Sequence, residues 1–215
     1  LELVASLGLD DLCFCLLSGG GSALLPAPVP GITLDDKICV TRLLSAAGAT
    51  IVQLNAVRRA LSLVKGGGLA RATRAGRLVS LIISDVLGDP LEAIASGPTV
   101  DVPPSPQEAL GVLRELRVAN EPEIVPVVQV LRSREGEAPA ELLAGEGIGS
   151  AGASPSRDTR ITNHVIGNNA LAVDAAGVEA ERLGYSHAMI AAREPEGSAE
   201  SVGEHLAAMA LRMHD

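Results

Sequence analysis

Five short segments of this chain carry residue types that can do chemistry. Ser18-Gly19-Gly20-Gly21-Ser22 follows the apolar run Leu12 to Leu17. Residues without a Cβ reach the positive φ that a backbone nest needs, so this loop can turn several N–H groups toward one phosphate or carboxylate. It is not a Walker A loop, because no Gly-Lys-Ser/Thr follows, and it lacks the Gly-x-Gly-x-x-Gly dinucleotide spacing. The same residue types also build a flexible strand-to-helix turn, and the local sequence leaves both readings open.

Asn55, Arg58, Ser62 and Lys65 recur at helical spacing beside an apolar sector of Leu54, Val57, Ala60, Leu61 and Val64. Two cations and two hydrogen-bonding groups on one side of a helix suit a carboxylate or phosphate, with Arg58 able to grip it bidentately. A solvated helix face has the same pattern. Asp85 directly follows the apolar run Leu78 to Ile83, where a carboxylate can hold Mg²⁺ or a substrate hydroxyl, and Asp89 can assist. Plain turn hydrogen bonds are the alternative for both. Ser96-Gly97-Pro98-Thr99 punctuates the chain again, and the local role of Ser96 and Thr99 is helix capping. Gly167-Asn168-Asn169 makes a turn directly after the segment Ile161 to Ile166.

The remaining reactive residue types give less. Cys13 and Cys15 alternate onto one side of a strand and, with no second Cys or His pair at metal-ligand spacing, read as small buried hydrophobes. His164, His187, His205 and His214 are scattered, and no hydrolase triad can be drawn from them.

For the segments to act together, the elements before them must end side by side. The runs 12–17, 78–83 and 161–166 read as strands, the first two of the kind buried on both faces. Helices are expected over 34–46, from the Thr33-Leu34-Asp35-Asp36 start signal to Gly48, and over 50–64, up to Gly66-Gly67-Gly68. A short helical stretch follows at 69–74. Further helices are expected over 105–117, 122–134, 169–183 and 198–213, and a fourth strand over 185–192. Residues 135–160 lack periodicity and read as a flexible insertion loop. Strands alternating with helices favour an α/β fold with a mostly parallel sheet, and such sheets bind ligands beyond the carboxyl ends of their strands.

Composition sets limits. The 215 residues are enough for one large domain or two small ones, and 47% hydrophobic with 20% charged residues is a globular balance. Phe14 and Tyr185 are the only aromatic residues, too few for the stacking platforms that bind single-stranded nucleic acid. A net charge of −9 repels phosphate backbones and anionic membranes, although a small anion is still bound where cations gather locally. No apolar run approaches the roughly 20 residues of a spanning helix. Three cysteines, an odd number, point to a reducing, cytoplasmic setting, and the start at Leu1 without a signal region to a piece of something longer.

Taken in order, Leu17-Ser18-Gly19-Gly20-Gly21-Ser22-Ala23-Leu24-Leu25, Asn55-x-x-Arg58-x-x-Leu61-Ser62-x-x-Lys65-Gly66-Gly67, Ser84-Asp85-Val86-x-Gly88-Asp89, Ser96-Gly97-Pro98-Thr99 and Ile166-Gly167-Asn168-Asn169-Ala170 resemble the motifs of the glycerate 2-kinase family, MOFRL-associated type. Some members of that family are labelled hydroxypyruvate reductases. The resemblance covers residues 12–176, and the stretch 135–160 is longer and lower in complexity than the family usually shows.

The resemblance implies a Rossmann-like three-layer domain and transfer of the ATP γ-phosphoryl group to the 2-hydroxyl of D-glycerate, with Mg²⁺. In that setting Ser18 to Ser22 would cradle a phosphate or the glycerate carboxylate, Arg58 and Lys65 would neutralise charge, and Asp85 or Asp89 would hold Mg²⁺ or orient the hydroxyl. Asn55, Ser96, Gly97, Thr99, Asn168 and Asn169 would belong to the same substrate or phosphate site. It also implies an upstream strand with a catalytic Gly-Lys-Ala lysine, and a smaller closing domain after residue 215, neither of which this sequence contains. Apolar surface is expected where such parts pack, and with it self-association. A nicotinamide-dependent hydroxypyruvate reductase and a non-catalytic metabolite-binding domain are the competing classes. The missing dinucleotide fingerprint counts against the first.

Overall fold

The computed structural model describes residues 1–136, 160–187 and 197–214, so most of the loop expected over 135–160 and of the strand expected over 185–192 lies outside the described residues. Among the described residues, three strands, β1 (Leu12–Leu17), β2 (Arg77–Ile83) and β3 (Ile161–Gly167), form a sheet in the order β1-β2-β3. Both pairings are parallel, and Cys15, Ser80 and Asn163 stand in register across the sheet, as do Leu17, Ile82 and Val165.

Helices supply most of the remaining order. They are α1 (Glu2–Ala5), α2 (Gly21–Leu24), α3 (Leu34–Ala46), α4 (Ile51–Ala60), α5 (Gly68–Ala72), α6 (Pro106–Glu115), α7 (Val125–Ser133), α8 (Asn169–Arg182) and α9 (Ala199–His214), with 3-10 turns at Ile94–Ser96 and Pro122–Ile124. Thr33 and Asp36 close a reciprocal capping box on α3, and Thr50 and Gln53 close another on α4. These caps satisfy amide groups that the first helical turn leaves without partners. The apolar stripes of α3, α4, α6 and α7 meet in one core through Val40, Leu44, Val57, Leu113 and Leu131. Among the described residues, no helix is long and apolar enough to cross a membrane.

Two expectations are corrected. First, β1 is not buried on both faces. Leu17 is buried and Cys13 and Cys15 are half-buried, but Phe14 and Leu16 on the opposite face are 59% and 74% exposed. An unbroken apolar run reports that a strand wants cover on both sides, not which chain segment supplies it.

Second, the helix expected over 50–64 stops at Ala60. Beyond it the backbone turns its donors outward: Leu63 N–H bonds the Ala27 carbonyl at 2.8 Å, Gly66 N–H that of Ser96 at 3.0 Å, and Gly67 N–H that of Gly97 at 2.7 Å. Gly66 takes φ +57°, and a Cβ there would overlap the Val102 carbonyl oxygen. Ser62 and Lys65 therefore reach the site from an irregular tail of turns and bends that is clamped between segments distant in sequence.

Candidate functional site

The parallel register sets the loops after β1, β2 and β3 beside one another at the carboxyl edge of the sheet. In the first loop, Gly20 takes φ +81° and α2 begins immediately after it. Gly21 N–H is spent on Ser18 and Ala23 N–H on Gly20, while those of Gly19, Gly20 and Ser22 have no hydrogen bond among the described residues. Unengaged N–H groups on closely spaced residues of a glycine loop are the donors an anion cradle needs.

Asp85 stands against this loop. A Cβ on Gly19 would lie 2.8 Å from the Asp85 Oδ2, so the glycine is what lets backbone and carboxylate approach. Asp85 is exposed and makes no hydrogen bond among the described residues. Its neighbour in the third loop, Asn168, caps α8 by accepting from Leu171 N–H at 2.9 Å and donates from Nδ2 to the Asp89 carboxylate. Asp89 is thus engaged, in a left-handed conformation at φ +53°. Asn169 is exposed beside it. An open cleft of about 660 Å³ lies between residues 83–87 and 167–172, with Asp85, Asn168 and Asn169 on its wall.

The described residues hold no cluster of three or more His, Cys, Asp or Glu poised around a cation. Mg²⁺ in phosphoryl-transfer sites is commonly held by one or two carboxylates, water and the substrate phosphates. The free Asp85 carboxylate fits that pattern better than Asp89, which is tied to Asn168.

On the other flank of the glycine loop lies Lys65, 1% exposed. Its Nζ donates to the Ser22 carbonyl at 2.9 Å and to the Ala95 carbonyl at 3.2 Å. Burial lowers its pKa to about 8, with further lowering from the charges of Lys37 and Arg58. Ser22 Oγ and Ser96 Oγ are 3.1 Å apart, and Ser96 Oγ donates to Asn55 Oδ1 at 3.0 Å, so the loop, the 3-10 turn and α4 are fastened in one polar chain.

Ser96 and Thr99 cap no helix, contrary to their local reading. Thr99 Oγ1 accepts from Ser80 at 3.0 Å and donates to Asn163 Oδ1 at 2.7 Å, on the covered face of the sheet. Buried hydroxyls must find partners wherever the fold offers them, and here those partners are remote in sequence. Asn55, Ser62, Ser96, Gly97 and Thr99 are all buried, Arg58 is half-buried, and the glycine loop is the exposed part. The polar face read from α4 is therefore an internal one.

One residue escaped the sequence reading. Lys37 of α3 approaches closely enough for its charge to act on Lys65, and it and Lys65 are the only lysines in the chain, which is the signal that could have marked it.

The family model described as "Domain of unknown function (DUF4147)" matches residues 1–131. The chain belongs to the DUF4147 family. It is 44% identical over 205 residues to a glycerate kinase of Rattus norvegicus, covering 94% of this chain and 36% of that protein. A relative from Agrobacterium vitis that carries a hydroxypyruvate reductase label is 38% identical over 208 residues, 97% of this chain and 49% of the relative. Among solved structures, the glycerate kinase of Thermotoga maritima superposes with a TM-score of 0.65 at 33% identity, over 86% of this chain and 39% of that one. This DUF4147 chain thus spans between 35% and 47% of the length of the curated glycerate kinases it matches.

Proposed function

We propose that this chain carries one wall of a glycerate kinase active site, in which ATP phosphorylates the 2-hydroxyl of D-glycerate with Mg²⁺ bound. The observation that carries the reading is the loop Ser18 to Ser22, with three free N–H donors, a free carboxylate at one flank and a buried ammonium at the other. Phosphoryl transfer asks the protein chiefly for alignment and for charge stabilisation at the phosphoryl oxygens. Backbone donors and a neighbouring cation supply that stabilisation without reorganising. The names and identities of the rat and Thermotoga relatives support the same reaction class.

The roles divide by exposure. Gly19, Gly20 and Ser22 bind a phosphoryl or carboxylate oxygen through their N–H groups, and Arg58 adds charge. Asp85 holds Mg²⁺, which when bound neutralises phosphate charge. Asn168 fixes Asp89 beside it, and Asn169 borders the cleft. Asn55, Ser96, Gly97 and Thr99 are positioning residues, because their polar groups are buried and engaged within the fold. Lys65 fixes the loop through the Ser22 carbonyl and lends it positive charge.

The test is ADP release by the full-length protein with Mg-ATP and D-glycerate, with the phosphorylated carbon identified by NMR. Glycerate-dependent ADP and 2-phosphoglycerate are expected, and Asp85→Asn should lower kcat on the order of 10²-fold, as loss of one electrostatic stabiliser does elsewhere. Hydroxypyruvate with a reduced nicotinamide cofactor is run in parallel. Cofactor oxidation without ADP release would replace the kinase by a reductase, and no turnover in a folded protein would leave a binding domain.

A further inference from the structure

Lys37 has no role in any of the above, yet its surroundings are unusual. It leaves α3 four residues after the Thr33 cap, and its Nζ is buried without a hydrogen-bond partner among the described residues. A buried ammonium with no acceptor is costly, because water is lost and nothing replaces it.

The nearest acids in sequence do not answer it. Asp36 is turned back onto Thr33, accepting from its N–H at 2.8 Å and its hydroxyl at 2.6 Å, and Asp35 is exposed. The chain has 26 acidic residues against 17 basic ones, and the ion pairs among the described residues, Arg59 with Glu108, Arg71 with Asp101 and Arg182 with Glu179, leave Lys37, Arg58 and Lys65 out. Three cations from α3, α4 and the tail of α4 have been gathered without a carboxylate. Their mutual repulsion is felt: Arg58 lowers the Lys37 pKa beyond what burial does, and both lower that of Lys65.

Lys65 is already engaged with two carbonyls, so the unmet demand falls on Lys37 and Arg58. We propose that Lys37 and Arg58 together form an oxyanion subsite, taking one carboxylate or phosphoryl group of a small ligand. Within the kinase reading, on which the identity of that ligand rests, the group is either the carboxylate of the acid substrate or a phosphoryl group in transfer. An anion there would supply the missing acceptor for Lys37 Nζ and cancel the repulsion in one step.

The two lysines allow a direct test. The 215-residue chain grown with ¹³Cε-lysine gives two side-chain signals, assigned by the loss of one in Lys37→Arg. Titration with inorganic phosphate, and separately with D-glycerate, is expected to shift the Lys37 signal saturably with at least one of them. A response to phosphate identifies a phosphoryl subsite and a response to glycerate alone a carboxylate subsite. In the full-length enzyme, Lys37→Met should raise the KM for the same ligand about tenfold or more, and Lys37→Arg should restore most of it. A Lys37 signal unmoved by both anions overturns the subsite even where Lys37→Met fails to fold, and leaves the kinase reading intact if ADP is still released. A shifting Lys37 signal in a protein that makes no ADP sinks the kinase and keeps the subsite.

Discussion

The Lys65 ammonium holds the Ser22 carbonyl at 2.9 Å across 43 residues of sequence. The bond joins the tail of α4 to the loop after β1, and the second bond, to Ala95, adds the 3-10 turn after β2. Three loops are thereby set by one side chain. Lys65→Met keeps the stem and removes the donor, leaving two carbonyls without partners at about 1–3 kcal/mol each, partly offset by relief from burying the charge. A net loss of about 2 kcal/mol is expected in a urea unfolding titration. Unchanged stability would mean that the two carbonyls find water, and that Lys65 does not fasten the loops.

The same residue sets a pH dependence. Lys65 is pushed down from 10.5 to about 8, mainly because burial penalises the ammonium, with the Lys37 and Arg58 charges adding to it. Between about pH 8 and 10.5 the unfolded chain still binds a proton that the folded chain has released, so this contribution to stability rises with pH across that window and is flat below it. Lys37, lowered by its burial and by Arg58, acts in the same direction. Phosphate affinity should move oppositely, falling as pH passes 8 and the charge is lost. Unfolding midpoints between pH 7 and 10 for the wild type, set against Lys65→Met, isolate the slope, and parallel curves would remove Lys65 as its source.

What the sequence disclosed and what it hid divide by range. The limits of β1 at 12–17 and of α3 at 34–46 follow from neighbours: an apolar run bounded by glycine, and a Thr33/Asp36 cap with Gly48 beyond. The three loops could be assigned to one edge because parallel strands align their carboxyl ends. The end of α4 could not be read, because Leu63, Lys65, Gly66 and Gly67 leave the helix to satisfy the carbonyls of Ala27, Ala95, Ser96 and Gly97, which no local pattern announces. Thr99 was misplaced for the same reason, its partners being Ser80 and Asn163 on the sheet. Lys37 has no motif around it, and only the fold shows that its charge meets those of Arg58 and Lys65.

Gly66 is where that departure from the helix is enforced. Its φ of +57° costs about 1–2 kcal/mol for a residue with a Cβ, and the new methyl would also overlap the Val102 carbonyl. Gly66 N–H is bonded to the Ser96 carbonyl and its own carbonyl accepts from the Arg71 guanidinium, so the turn cannot relax without giving up partners on both sides. Gly66→Ala is expected to destabilise the chain by about 2–4 kcal/mol. Gly48→Ala, also at positive φ but with open space around it, should show the backbone cost alone. Equal losses in the two variants, read by thermal unfolding, would mean that the Val102 contact has no energetic weight.

Gly19 makes a different demand, since no positive φ is involved and the group in the way is a side chain. A Cβ at Gly19 would meet Asp85 Oδ2 at 2.8 Å, and Asp85 is exposed, so the carboxylate can swing aside. Gly19→Ala should therefore change stability by less than about 1 kcal/mol, as surface substitutions do. Activity should respond far more. A carboxylate displaced by about 1 Å from its productive position costs on the order of 10²-fold in rate. If Asp85 holds Mg²⁺ beside the loop, the full-length Gly19→Ala enzyme will show kcat lowered by that order and a raised Mg²⁺ requirement, with an unfolding midpoint near wild type. Wild-type kcat at ordinary Mg²⁺ would show that the closeness of Gly19 and Asp85 is a packing relation only, and would move the metal to another carboxylate.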